Sequence, residues 1–380
     1  MLREGRESHR AAVRAPPLKV MHILKVNGVG GAERHLLALL PALRECGVDA
    51  SVLLLDAGGD SRRFRDELDE CGVPWRAVRC GLDLSPRLAW NVLGAVRAER
   101  PDLMHTHMVH GDFYGSLAAH ALRVPFVSSR HNDDRYLLGS FRHVNRAILH
   151  GAGRLIVASD TLAELMARLG VPGERIVTIP YGLDEPPARP SELTPSEARV
   201  PDGVPLILAI GRFVEQKDHA TLLHAFCRVR QANPTARLAI LGSGPLEPSL
   251  RAQAASLGLD DSLVAPGRVE PRDWLARADI FVHTPRWEGF GMVLLEAMLA
   301  ELPVVATRVS AIPEIVVDGK TGYLARAGDA KGLATAVSTV LSKPRLGRRL
   351  GRAGLKRARS VFPVMRMVEA TVGAYLNTLA

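Results

Sequence analysis

From residue 18 onward, apolar runs alternate with amphipathic stretches. Residues 18–24, 50–55, 103–105, 125–128 and 154–158 are short runs that read as strands. Between them, 32–46, 86–100, 113–122 and 161–169 read as helices, the last with Ser159 as its N-cap. Strands and helices in this alternation predict a parallel, doubly wound sheet. A second series starts at 206, with strands at 206–210, 237–241, 279–283 and 304–307 and helices near 219–231, 247–257, 292–300 and 329–341. Between the two series, residues 184–195 hold four prolines and read as a linker. The prediction is an α/β protein of two Rossmann-like, doubly wound domains facing each other across a cleft. The first spans 18–184, a linker 185–203 and the second 204–361; a helix at 362–380 returns to the first domain. At 380 residues the chain is long enough for two cores, since single cores rarely grow past about 250–300 residues.

The most informative segment follows the predicted strand at 279–283. Glu288 and Glu296 flank a Gly289-Phe290-Gly291 turn that opens a helix. Such a turn at a strand's carboxyl end is where open α/β sheets bind ligands. Free N–H groups at the helix start attract phosphate. Glu296 reaches past the phosphates towards sugar hydroxyls, and Glu288 faces whatever hangs from the outer phosphate. Arg212 and Lys217 follow the strand at 206–210, a rigid bidentate fork beside a mobile point charge. The loop 27–31 follows the first strand, and its glycines let backbone approach a phosphate. Asp56 after the second strand would suit a dinucleotide site, but Glu33 stands where the third fingerprint glycine belongs.

These motifs resemble the retaining, nucleotide-sugar-dependent glycosyltransferases of family 4, which have the GT-B fold. The resemblance rests on the Glu288-x7-Glu296 segment, Asn27-Gly-Val-Gly-Gly-Ala-Glu-Arg34, Pro101-Asp-Leu-Met-His-Thr-His107, Gly211-Arg212 with Lys217, and Gly242-Ser-Gly-Pro245, and it spans about 18–380. It implies a hexosyl transfer from a nucleotide sugar to a hydroxyl, on a lipid-linked or cell-surface glycan precursor. It also implies catalytic roles for Glu288, His131, His107, Arg212 and Lys217. Donor binding falls to Gly30, Gly31, Arg212, Lys217, Gly242, Arg268, Glu288, Gly289, Phe290, Gly291 and Glu296. One departure stands out: where the family often has Pro-Asn-Gly-Val-Asp, this chain has Pro180-Tyr181-Gly-Leu-Asp184. A nucleotide-sugar epimerase, a phosphorylase on the same architecture and a non-catalytic nucleotide-sugar-binding protein remain as alternatives.

Charge and histidine placement refine this picture. With 49 Lys+Arg against 40 Asp+Glu the chain carries +9, which suits anionic partners of any kind. Aromatics make up only 5% and no basic stripe is interleaved with them, which argues against nucleic acid. Residues 343–359 contain eight Lys/Arg and no acid, and six of them fall within a helical arc of about 100°. That stripe fits either a solvated face or contact with an anionic membrane surface or lipid-linked acceptor. Ten of 13 histidines lie in the first 184 residues. His105 and His107 share a strand face, but no third ligand is evident nearby, so no metal is expected there; His105 should pack within the strand while His107 enters the cleft. No Asp-x-Asp occurs anywhere, which fits a site without a metal cofactor, its diphosphate neutralised by cations and helix starts. Four scattered cysteines fit reduced thiols, and residues 1–17 form a charged, disordered start without the apolar core of a signal peptide. With no apolar run of bilayer length, the expectation is a cytoplasmic protein, with the inner face of the cell membrane as the surface open to its basic stripe.

Overall fold

The computed structural model describes residues 17–26, 28–58, 61–81, 85–132, 148–185, 193–198 and 200–380. The segment read as a disordered start therefore lies almost wholly outside the described residues, as do Asn27 and residues 186–192 and 199 of the predicted linker.

Two all-parallel sheets form the α/β frame of a GT-B protein. The first contains β1 (Lys19–Val26), β2 (Asp49–Asp56), β3 (Trp75–Arg79), β4 (Leu103–His107), β5 (Phe126–Arg130), β6 (Arg154–Val157) and β7 (Ile176–Thr178), in the order β3-β2-β1-β4-β5-β6-β7. The second contains β8 (Leu206–Ile210), β9 (Arg237–Leu241), β10 (Leu263–Gly267), β11 (Ile280–His283), β12 (Val304–Thr307) and β13 (Gly322–Ala325), in the order β10-β9-β8-β11-β12-β13. The strand order reverses at β1/β4 and at β8/β11. In open parallel sheets, ligand crevices lie beyond the carboxyl ends of strands at such switch points.

Four strands escape the sequence pattern: β3, β7, β10 and β13. All four are sheet edges. Edge strands need no continuous apolar run, because only inner strands are covered on both faces. Trp75–Arg79 has only half-buried and exposed residues, whereas Leu103–His107 is buried throughout.

The C-terminal helix Val364–Leu379 packs against the Gly31–Glu45 helix and against β5 and β6 of the first sheet. Its seat is fixed where the chain crosses between the sheets. Val364 N–H donates to Asp184 Oδ1 at 2.9 Å, Leu183 N–H donates to the Phe362 carbonyl, and Gly182 lies where any Cβ would come within 2.7 Å of Val364 Cα. Among the described residues, no helix is long and apolar enough to cross a membrane.

Candidate active site

A cleft of about 430 Å³ opens between the sheets at both switch points. It is lined by the loop after β1 (Gly28–Gly31), the turn after β8 (Gly211, Arg212, Gln216, Lys217), Gly242 and Ser243 after β9, Arg268 and Val269 after β10, and Glu288, Phe290 to Val293 and Glu296 after β11.

At the centre, Glu288 Oε2 receives the Lys217 ammonium at 2.5 Å and lies 3.0 Å from His283 Nε2. Burial alone would push the Glu288 carboxyl up. The Lys217 charge and the His283 hydrogen bond outweigh it and hold the group at about 2. Burial is also what lowers His283 and keeps it neutral, so it donates to the carboxylate as an uncharged imidazole. His283 ends β11, and the sequence pattern gave no reason to single it out.

Gly291, at φ 101°, starts the helix Met292–Leu299, and among the described residues no side chain caps it. Its first N–H groups therefore remain available to an anion. Glu296 lies on this helix, buried, and takes Arg34 Nε at 3.7 Å. Arg34 belongs to the Gly31–Glu45 helix of the other sheet and also reaches Glu270 at 3.4 Å; Arg63 pairs with the same Glu270. This side of the cleft is thus bridged by ion pairs between the two sheets.

Glu33, set aside at the sequence level, caps its own helix by accepting from Gly30 N–H at 2.9 Å. Burial raises its carboxyl, against the pull of Arg212 and Arg268. The Gly30-x-x-Glu33 spacing is a capping-box signature with glycine at the cap, and that signal was readable. Arg268 donates to the Val29 carbonyl at 2.9 Å and packs over Gly28.

Gly30, Gly31, Arg212, Lys217, Gly242, Arg268, Glu288, Phe290, Gly291, Glu296 and His131 all line the cleft. Two expected residues do not. Gly289 turns away from the cavity and meets the first sheet: a Cβ there would lie 2.0 Å from the His131 carbonyl oxygen. His107 does not enter the cleft but is fully buried, with its ring nitrogens 2.9 Å from His131 and 3.0 Å from His22. The reason is register: β1 pairs with β4 so that His22 lies beside His105, and the shared face points into the layer beneath the C-terminal helix. The same pairing brings in the third histidine that the local sequence lacked. His22, His105 and His107 have ligand-type atoms within 4.8 Å of one another. Tyr181, the departure from the family pattern, lines the cleft and bonds to His131.

Two parallel sheets meeting at a cleft with paired cations, buried carboxylates and an uncapped helix start define a GT-B protein built to hold an anionic ligand. The chain belongs to the group 1 glycosyl transferases and is a glycosyltransferase: that family's model matches residues 191–357, and the glycosyl transferase 4-like domain matches 30–182. It is 30% identical to the D-inositol 3-phosphate glycosyltransferase of Thermobifida fusca, covering 76% of this chain and 74% of that protein. Identity to the lipopolysaccharide core biosynthesis glycosyltransferase LpsE of Rhizobium meliloti is 28%, over 92% and 96% of the two chains. Among solved structures, Anabaena HepE in complex with UDP and glucose superposes with a TM-score of 0.80 at 21% identity, over 94% of this chain and 99% of that one.

Proposed function

We propose that this glycosyltransferase moves a hexose, with retention, from a nucleoside diphosphate donor to a hydroxyl of a lipid-linked or cell-surface glycan precursor. The observation that carries the reading is the Lys217–Glu288 pair beside Arg212 at an uncapped helix start. Arg212, Lys217 and the helix N–H groups hold the diphosphate and stabilise the charge that develops on it as it leaves, usually the largest catalytic contribution. Glu288 holds hydroxyls of the transferred sugar, and Glu296 the ribose. The turns at Gly242 and Arg268 wall the base. His131 meets the sugar from the first sheet, with His107 behind it as a support rather than a contact. The acceptor hydroxyl attacks from the face that the phosphate leaves. No metal ion takes part in this scheme, because two side-chain cations and a helix start already oppose the diphosphate. HepE, crystallised with UDP and glucose, and LpsE, named for lipopolysaccharide core biosynthesis, are in keeping with such a donor and acceptor.

A thermal-shift panel of UDP-, GDP- and ADP-sugars tests the donor, since a ligand at 100 times its Kd stabilises by about 2.7 kcal/mol. One of these donors should raise Tm, and transfer from it should keep most of its rate in excess EDTA. A panel with no stabilising member would sink the reading. Activity abolished by EDTA and restored by Mn²⁺ would show that the charge neutralisation is misassigned.

The basic stripe adds a second part to the proposal: the enzyme works in the cytoplasm, at the inner face of the cell membrane. Arg345, Arg348, Arg349, Arg352, Lys356 and Arg359 are exposed along the helix Pro344–Val361, while Leu350, Gly351, Gly354 and Ala358 are buried on its other side. Arg357, outside the stripe, turns inward to donate to the Ile315 carbonyl at 2.8 Å and the Glu314 carbonyl at 2.7 Å. Reversing Arg348, Arg349, Arg352 and Lys356 to Glu should abolish sedimentation with anionic vesicles at low salt and leave donor affinity unchanged. Each surface cation contributes about 1 kcal/mol at such a surface. If the wild-type protein ignores those vesicles, the stripe is a solvated face.

A further inference from the structure

Behind the cleft, seven side chains from five separate parts of the chain join in one line. Tyr181 hydroxyl bonds to His131 Nδ1. His131 Nε2 lies 2.9 Å from His107 Nδ1, and His107 Nε2 lies 3.0 Å from His22 Nδ1. His22 Nε2 meets the Tyr375 hydroxyl at 3.4 Å, the longest link, and that hydroxyl lies 2.8 Å from His105 Nδ1. His105 Nε2 ends the line 2.7 Å from Ser129 Oγ. All seven residues are at most 5% exposed.

Burial holds all four imidazoles below their ordinary pKa, so each is neutral and carries one ring proton. Burial likewise holds both phenols above theirs, so each keeps its hydroxyl proton. A neutral imidazole donates from one nitrogen and accepts at the other. Each member therefore has one hydrogen to give. Every link takes one hydrogen, because two would clash and none would leave buried acceptors unpaired. If one member donates towards Ser129, its neighbour on that side must do the same, and so on to the end; a Tyr375 oxygen that accepted from both His22 and His105 would leave its own buried hydrogen unpaired. The line has two allowed senses and no mixed one.

We propose that these seven groups form a single unidirectional hydrogen-bond chain, and that Tyr375 on the C-terminal helix is thereby a positioning residue for His131 and Tyr181 at the cleft. Donation towards Ser129 puts the ring proton on Nε2 in all four histidines and leaves the Tyr181 oxygen to accept from a ligand. Donation towards Tyr181 puts it on Nδ1 in all four and frees the Tyr181 hydroxyl to donate. Its consequence for sugar binding rests on the function proposed above; the chain itself does not. A ligated metal at His22, His105 and His107 is the rival arrangement, but every ring nitrogen of the three already has a partner.

Long-range ¹H–¹⁵N correlation on the full-length protein labelled with ¹⁵N-histidine reads each ring's tautomer, with signals assigned by single substitutions. His22, His105, His107 and His131 should show the same tautomer, or the same averaged ratio. Any mixture of Nδ1–H and Nε2–H among the four would overturn the proposal, as would a stoichiometric metal ion in the purified protein. Tyr375→Phe should shift the ring resonances of His131, three links away, and leave those of His219 and His283 in place. Unmoved His131 resonances would refute the coupling. The wild-type measurement stands even where that variant does not fold. Matched rings in a protein that accepts no nucleotide sugar would keep the chain and sink the transfer reading instead.

Discussion

Glu288→Gln should lower kcat about 10²-fold, roughly 2.7 kcal/mol, the scale for losing one well-placed electrostatic partner. Its affinity for free nucleoside diphosphate should stay near wild type. Glu288 Oε2 is the common partner of Lys217 and His283, so the carboxylate fixes both, in the proposed scheme at the point where sugar meets phosphate. Glutamine keeps the shape and removes the charge. The free nucleotide lacks the transferred sugar that Glu288 would touch, and the Lys217 ammonium then turns wholly to the phosphates. Glu296→Gln should do the opposite. In the proposed scheme Glu296 holds a part of the donor that changes little during reaction, so its loss should raise donor KM and weaken nucleotide binding with kcat nearly intact. Calorimetry with nucleotide alone separates the two. Reversed results would exchange the roles, and two silent variants would put the site elsewhere. The pH dependence follows in sign from the same ion pair. Glu288 sits at about 2, below its ordinary value, so its stabilising contribution is present above that ordinary value and lost as pH falls through about 2. Glu288 therefore gives the rate profile no acid limb in the neutral range.

What could be read without coordinates divides along physical lines. The inner strands were legible because burial on both faces writes itself as an apolar run, and the helix starts because caps and glycines are local. Edge strands such as Trp75–Arg79 and Gly322–Ala325 were not, since neither carries a continuous buried run. Within the cleft, Arg212, Lys217, Arg268, Glu288 and Glu296 were each visible in their own turn, whereas Arg63 and Glu270 were not. Which carboxylate meets which cation was not: Arg34–Glu296 and Lys217–Glu288 join residues 262 and 71 positions apart in sequence. His107 was misdirected for a related reason. Alternation along β4 gives the face of the sheet but not what covers it, and here the cover is Tyr375 from the far end of the chain. Tyr181 was set aside because it broke a pattern; it turns out to line the cleft.

Gly289→Ala should cost transfer at least about 10²-fold while both sheets stay folded, because a misplacement near 1 Å is enough for such a loss. Gly289 is the middle of the Glu288–Phe290 turn, and it touches the other sheet, not the ligand cavity. An added Cβ would stand 2.0 Å from the His131 carbonyl oxygen and 2.9 Å from Asn132 Cα, both main-chain atoms that no rotamer change can move aside. Ser159 Oγ donates to the Gly289 carbonyl at 3.2 Å and caps the helix Asp160–Arg168 through Leu162 N–H, so the turn cannot slip without disturbing that cap. The cheaper response is for the sheets to part at this point. That carries His131 and the loop after β1 away from Glu288, Lys217 and the helix start, which all remain on the second sheet. Nucleoside diphosphate affinity should therefore fall far less than kcat, while circular dichroism and the far-UV melting profile stay near wild type. Gly373→Ala, at a helical position with open space around its Cβ, is the matched control and should keep full activity. If Gly289→Ala also turns over within a few-fold of wild type, the seat between the sheets is looser than these distances require, and the catalytic geometry does not depend on it.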